Sequence, residues 1–387
     1  MASGGDTTDG GTLTPPPSLP SSSNPPGNSL PAPPLPTLAS ELVEEILCRV
    51  PVKSLLRFRC VCKSWNSLIS DPKFARKHRR EYNRYNFMID TENHLSSYPV
   101  GYAFDSYAAT RLEYPPNYTV HSSVIFSSCD GILCSYCFGS RIVQAWNPWT
   151  RTFVKSPPLE NIKSGYSVIE TSLGFGYDRL TESYKAVKMI FDADHGLKTR
   201  VMIHTFGTSF WRRMEVDFCP VDKTGTFAYG TIYWIASVVW DSKKRFIVCL
   251  DVGKESFQEL RLPKLDDLNL TLGVLRDCLC VVSHEQLFWD IWVIKEHGKC
   301  WTKLFSIPED CSCFPLNQPH YISEDKEELL PLSSFRGLVV YRRATPTDKV
   351  TRIFYIENIK AWILPEMSYS YEPVVYTESL ISPCPQY

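Results

Sequence analysis

The sequence predicts a multi-domain chain: a disordered N-terminal leader, a small all-α module, and an all-β, propeller-like repeat domain. Three observations lead there. Residues 1–34 are rich in Pro, Ser, Gly and Thr, with three prolines at 15–17 and proline pairs at 25–26 and 33–34. Between Leu38 and His78, large apolar side chains recur at helical spacing. From about residue 86 that spacing gives way to short alternating runs separated by turn residues, as expected of an all-β domain. The boundaries read from these shifts are 1–34 for the leader, 35–80 for the helical module, 81–99 for a linker and first strand, and 100–387 for the β domain.

The leader holds too few apolar side chains to offset the entropy of an ordered chain. It suits a spacer or a polyproline II ligand. The helical module then opens at Ser40, a good N-cap, with Glu41, Glu44 and Glu45 where the helix dipole favours negative charge. Leu42, Val43, Ile46, Leu47 and Val50 follow at helical spacing, and Pro51 ends the helix and starts the next. The second helix carries Leu55, Leu56 and Phe58. A third holds Val61, Cys62, Trp65, Leu68 and Ile69. Asp71-Pro72 starts a fourth, with Phe74 facing inward.

About forty residues cannot bury this many large side chains among themselves. Leu42 and Ile46 occupy one face of the first helix, and Val43, Leu47 and Val50 the adjacent one. Some of this surface must meet something else. It either docks on the chain's own β domain or lies in a groove on another protein. The second half of the module is basic, from Lys53 to Arg84. No nucleic-acid-binding motif accompanies it, so a solvated helix face is expected rather than a phosphate-backbone contact.

In the β domain one pattern repeats: a strand, a polar turn, and a second strand with an aromatic. It appears in VQAWNPWTRTFVKSP, IHTFGTSFWRRME, IVCLDVGKESFQELRLP, DIWVIKEHGKCWTKLFSI and IFYIENIKAWILPEM. Phe153, Trp211, Phe257, Trp301 and Trp362 anchor the units, at spacings of 58, 46, 44 and 61 residues. That is close to one propeller blade, roughly 40–50 residues. Such sheets cannot bury both faces alone and should stack radially, a sandwich being the alternative. The run Tyr371 to Pro383 is placed to pair with an early strand and close a ring.

Composition excludes several classes. The net charge is −1, so no global field points to nucleic acid or membrane. No apolar run is long enough to span a bilayer, and the N-terminus lacks the features of a signal peptide. The 14 cysteines are scattered through a long chain, which points to reduced thiols in cytoplasm or nucleus rather than a disulfide scaffold. No G-x-S-x-G elbow, P-loop, G-x-G-x-x-G or H-E-x-x-H is present. Gly174-Phe-Gly176 reads as a turn. Cys134-x-x-Cys137, with Cys129 before it, lacks the second close pair that a structural zinc needs. His204, His297 and His320 suggest local hydrogen bonding only. No catalytic residue, metal site or cofactor is therefore expected. Contacts to a protein partner would come from Trp149, Arg151, Trp240, His297, Arg342 and Arg343 in turns, although most aromatics should pack between blades. The substrate-binding residues stay unknown.

The stretch ELVEEILCRVPVKSLLRFRCVCKSWNSLISDPKFARKH resembles the F-box of plant proteins almost throughout. That resemblance implies docking on a Skp-type adaptor, and through it on cullin and RING subunits. Carried over by position, the adaptor contacts are Leu38, Leu42, Ile46, Leu47, Val50, Pro51, Leu55, Leu56, Val61, Cys62, Trp65 and Leu68. The family has Leu-Pro before its first helix; here the pair is Leu38-Ala39, and the nearby Leu35-Pro36 is out of register. CDGILC, WNPWTRTFVKSP, GFGYDRLTESYKAVKM, FGTSFWRRM, LGVLRDCLCVV, DIWVIKEHGKCWTKLFSI and TESLISP are similar to the F-box-associated interaction domain of plant F-box proteins, some called F-box/kelch-repeat proteins. The double glycine of ordinary kelch blades is absent. The resemblance spans most of residues 38–383. It implies a non-catalytic substrate-recognition subunit of an SCF-type ubiquitin ligase, or an adaptor-bound scaffold or regulator outside ubiquitin ligation.

Overall fold

The computed structural model describes residues 38–384 except 83, 91–94, 100–109, 117, 120–121, 161–167, 193–197, 239–243, 264–269, 276–277, 286–287, 295–299, 309–315, 323–327, 334–336, 344–348 and 356–373. For the strands between 316 and 355 it describes the backbone. The leader therefore lies outside the described residues.

Four helices come first: α1 (Ser40–Leu47), α2 (Val52–Phe58), α3 (Lys63–Ser70) and α4 (Pro72–Glu81). Ser40 is the first helical residue rather than the cap. The extended Ala39 precedes it, and no side chain caps the helix. Pro51 is the N-cap of α2, and its carbonyl accepts the amides of Ser54 and Leu55. Val61 and Cys62 lie before α3, where Cys62 is its extended N-cap. Asp71 caps α4 through a 2.7 Å bond from the Lys73 amide, with Pro72 in the first turn, where its missing N–H costs nothing.

Among the described residues six antiparallel sheets follow. Blade 1 runs Val374–Thr377, Tyr85–Asp90, Leu95–Pro99, Thr110–Leu112. Blade 2 is Ser123–Cys129, Ile132–Cys137, Ile142–Asn147, Thr152–Lys155. Blade 3 is Val168–Asp178, Ser183–Asp192, Thr199–Thr205, Arg212–Val216. Blade 4 splits its first strand into Cys219–Pro220 and Thr226–Ala228, both on Thr231–Ser237, then adds Arg245–Asp251 and Ser256–Leu260. Blade 5 is Leu270–Leu275, Cys278–Glu285, Phe288–Ile294, Thr302–Pro308. Blade 6 is Leu316–Ile322, Glu328–Ser333, Gly337–Arg343, Lys349–Tyr355. From blade 1 to blade 6 each first strand touches its successor's sheet, so the sheets stack as a β-propeller around a central channel.

The C-terminal strand closes the fold. Val374–Thr377 pairs with Tyr85–Asp90, Met88 opposite Val374 and Tyr85 opposite Thr377. This places the β domain's start at Tyr85 rather than at residue 100, because the first strands complete a blade with the last one. Gly131 makes room for the closing segment: its φ is +80°, and a Cβ there would lie 2.4 Å from Ser379 Cβ. Gly174 and Gly176 sit within a strand of blade 3, not in a turn. Cβ atoms there would fall 2.5 Å from Trp234 and from Phe227, aromatics of blade 4 that pack against the glycine positions.

The anchor aromatics mark the fourth strands. Phe153 and Phe257 lie in them, and Trp211 and Trp301 lie immediately before them. The two indoles make the same latch. Trp211 Nε1 donates to Pro157 O at 2.9 Å and Trp301 Nε1 to Arg261 O at 2.8 Å, each reaching the segment that leaves the preceding blade. Trp362 lies outside the described residues. A buried ion network also joins two blades. Lys185 of blade 3 meets Asp178 at 3.1 Å, and Glu255 of blade 4 at 2.8 Å. It also donates to Val252 O at 2.9 Å. Burial pushes the Asp178 carboxyl up, but hydrogen bonds from Thr181, the Leu180 amide and Lys185 outweigh it and hold the group below its ordinary value.

Candidate functional site

The helical module has an inward and an outward apolar face. Inward, Leu47, Cys48, Val52, Leu55, Ile69, Phe74 and Ala75 form one buried cluster, joined by Leu380 from the segment after the closing strand. Trp149, Leu68, Trp65, Leu56 and Val50 pack on its edge. Outward, Leu38, Leu42 and Ile46 stand at four-residue intervals on and before α1. They are 63%, 54% and 52% exposed, and Val61, between α2 and α3, is 61% exposed. Side chains four apart share one helix face, so the three form a stripe.

The structure thus divides the twelve residues that the resemblance assigns to an adaptor. Leu38, Leu42, Ile46, Pro51, Val61 and Cys62 are exposed. Val50, Leu56, Trp65 and Leu68 are half-buried; Trp65 leans on Phe58, with ring centroids 5.6 Å apart. Leu47 and Leu55 are 1% and 0% exposed. Both are core residues rather than contacts, because α1 and α2 each keep an inward face packed with Ile69, Phe74 and Leu380.

Two polar clamps fix the module. His78 is fully buried and bonds Val50 O through Nε2 at 2.8 Å, tying α4 to the end of α1. Burial pushes its pKa below the ordinary histidine value, against the raising effect of that bond, so the neutral imidazole donates. Lys77 bridges Glu44 and Glu45 of α1 at 2.8 and 3.0 Å.

The module is seated on the propeller. Arg76 of α4 donates both guanidinium nitrogens to Glu182 at 2.9 Å, in the turn between the first two strands of blade 3. Arg79 lies 4.0 Å from Asp130 in the equivalent turn of blade 2. Glu378 takes the Val52 amide at the start of α2. Asn147 Nδ2 donates to Ser379 O and Ile381 O, both at 2.8 Å, holding the tail that carries Leu380. Arg76 and Arg79 thus mount the helices on the propeller, while Lys53, Arg57, Arg59, Lys63, Lys73, Arg80 and Arg84 are exposed, as a solvated helix face requires. Ser70, Arg76, Arg79 and Arg80 line one end of a cavity of about 1440 Å³ whose walls include the first strands of blades 1 to 5.

The opposite end of the propeller carries the connections between second and third strands. Val238 of blade 4 and Phe288 of blade 5 are exposed there, and Phe138 of blade 2 is half-buried. Sequence reasoning missed all three; each sits at a strand end where period-two alternation carries no signal. Among the residues it did name, Trp149 is packed between the helical cluster and the blade 1–blade 2 core, so it is mortar rather than a free contact. Arg151 is exposed and pairs with Glu113 at 2.9 Å. Trp240 and His297 lie outside the described residues, as do the side chains of Arg342 and Arg343.

Every described cysteine is free. Among the described residues no cluster of His, Cys, Asp and Glu is placed to hold a metal, and no helix is long and apolar enough to cross a membrane. His204 is buried, with Nδ1 2.9 Å from Phe210 O.

Comparison with known proteins adds the relatives. The family model described as F-box associated beta propeller domain matches residues 87–382, and the one described as F-box domain matches residues 35–77. An F-box/kelch-repeat protein of Arabidopsis thaliana is 29% identical over 326 residues, covering 79% of this chain and 87% of the relative. A putative F-box protein of the same plant is 32% identical over 239 residues, covering 58% and 61%. The Arabidopsis F-box protein CPR1 is 26% identical over 329 residues, covering 76% and 79%.

Proposed function

This chain belongs to the F-box proteins that carry an F-box-associated β-propeller, and from that premise we propose that it is the substrate-recognition subunit of an SCF-type cullin ubiquitin ligase. The observation that carries the proposal is the outward stripe of Leu38, Leu42 and Ile46 with Val61 beside it, all more than half exposed. A helix face of this kind docks in an apolar groove, here that of a Skp-type adaptor, with Pro51 and Cys62 at the contact and Val50, Leu56, Trp65 and Leu68 at its rim. Cullin and RING subunits join through the adaptor. The end of the propeller away from the helices, with Val238 and Phe288, holds the target protein.

The rigid mount gives this arrangement its mechanical sense. Arg76–Glu182, Asn147 and the Leu380 cluster fix the propeller relative to the docking helices, so a target on the far end is held at a set distance from the ubiquitin-charged enzyme. Catalysis is then proximity supplied by the complex, and this chain contributes no reacting group and no cofactor. It works in the cytoplasm or nucleus, where adaptor and cullin are met.

Co-expression with adaptor, cullin and RING subunits, followed by size-exclusion chromatography, tests the proposal. A stoichiometric complex of all four supports it. Capture of adaptor without cullin makes the chain a scaffold or regulator outside ubiquitin ligation. No capture of any adaptor refutes both.

A further inference from the structure

Two lysines three residues apart on one strand of blade 3 have opposite surroundings. Residues 184, 186, 188 and 190 face blade 2, and 185, 187 and 189 face blade 4, as strand alternation requires; Tyr184 and Ala186 join the blade 2–blade 3 core, and Val187 and Met189 the blade 3–blade 4 core. Lys185 has a partner for each of its ammonium protons: Asp178, Glu255 and Val252 O. Lys188 occupies a core position in line with Tyr184 and Ala186 and is 6% exposed. No described carboxylate pairs with it. Its ammonium lies 3.7 Å from the centroid of the Tyr136 ring.

A cation buried without a counter-charge is costly, and a cation–π contact returns only part of that cost. Burial alone pushes the Lys188 pKa down to about 8. A methionine would fill the same stem volume without the penalty, so packing does not account for the charge. Its place in the fold suggests what does. Lys188 lines the central cavity, together with Phe138, Leu173 and Thr171. The strand begins at the turn that meets α4, so Lys188 is about 17 Å along it, towards the end away from the helices. Cavities that bind ligands are mostly apolar, with a few convergent polar groups; the Lys188 ammonium over Tyr136, with the Phe138 ring 5.2 Å from Tyr136 and lining the same cavity as Lys188, fits that pattern.

We propose that Lys188 is an anchor for an anionic oxygen group, carboxylate or phosphate, on the segment of the target that enters the propeller from the end away from the helical module. The proposal rests on the reading of the propeller as the target-holding domain and names the chemistry that domain selects. Binding would supply the counter-charge that Asp178 and Glu255 give Lys185, in a site where Tyr136 already favours the charged ammonium.

Isotopic trace acetylation of the full-length chain, read at each lysine by mass spectrometry across pH 6–10 in inorganic phosphate, glutarate or chloride at equal ionic strength, tests it. In chloride, Lys188 should label half-maximally well below the exposed Lys254. At millimolar concentration phosphate, glutarate or both should protect Lys188 about threefold or more, by mass action, and leave Lys254 unchanged. Protection by phosphate alone points to a phosphorylated target, and by glutarate alone to an acidic one. K188M, which keeps the stem packing and removes the buried charge, should melt at or above the wild-type temperature and lose the stabilisation that the protecting anion gives the wild type. Unchanged labelling in both anions, a Lys188 that never labels, or an equal anion response in K188M would overturn the proposal. Adaptor capture is independent of Lys188, so its failure would remove the ligase reading and leave the anion site standing.

Discussion

Ile46 and Leu47 are neighbours in α1 with nearly the same side-chain volume and opposite surroundings. Leu47 is in the core with Leu55 and Ile69, while Ile46 is more than half exposed. The contrast runs through the module: one face holds the helices together and to the propeller, and the other is left apolar and uncovered. A small domain does not leave such a stripe to water without reason. Burying one face on the propeller also resolves a size problem. Leu380, Ile381 and Trp149 supply the apolar surface that forty residues cannot provide alone, so the outer face is free to be a contact.

Truncating the inner face should have the largest effect. Leu55→Ala should destabilise the chain by about 2–5 kcal/mol, the range for a buried leucine whose site cannot collapse. Urea denaturation measures it. The variant should lose adaptor capture only together with its fold.

Each domain also buries a histidine. His78 in the helices and His204 in the propeller are both fully buried, and burial lowers both pKa values. The folded state therefore binds fewer protons than the unfolded one. Each contributes stability that is fully present above the unfolded pKa of about 6.5 and is lost as pH falls below it. Denaturation midpoints should fall between pH 7.5 and pH 5.5. Carboxylates held low, such as Asp178, titrate below that window. His78→Gln should weaken the pH dependence, since glutamine can still reach Val50 O.

The smallest effect concerns the mount. Arg76 and Glu182 are partly exposed, and pairs of that kind contribute little. Arg76→Ala should leave the melting temperature within experimental scatter. A large drop would mean that the seat depends on this pair rather than on the Leu380 cluster.

Much of the fold was legible because the local signals agree with one another. Asp71-Pro72 starts a helix, strands alternate with period two, and Phe153, Trp211, Phe257 and Trp301 recur in or just before the fourth strands of blades 2 to 5. The match of Val374–Thr377 to the first strand was legible as a run left over at the end. The division of Leu42 and Ile46 from Leu47 and Leu55 was not legible. Both pairs have helical spacing, and only the position of Leu380 and Trp149 decides which face is covered. Gly174 and Gly176 were misread as a turn because glycine's usual role is local, whereas here Trp234 and Phe227 demand it from the next blade. Lys188 gave no signal at all, since a lysine in a strand normally faces water.

Adaptor docking depends on the outward stripe, and one titration tests it directly. Purified adaptor is titrated into wild type and into a Leu42→Asp/Ile46→Asp variant, with melting temperatures measured alongside. With the stripe as the contact, melting temperatures should be equal and affinity should fall about 100-fold or more, close to 2.7 kcal/mol. Equal affinity in a folded variant would contradict this and place the adaptor contact elsewhere on the chain.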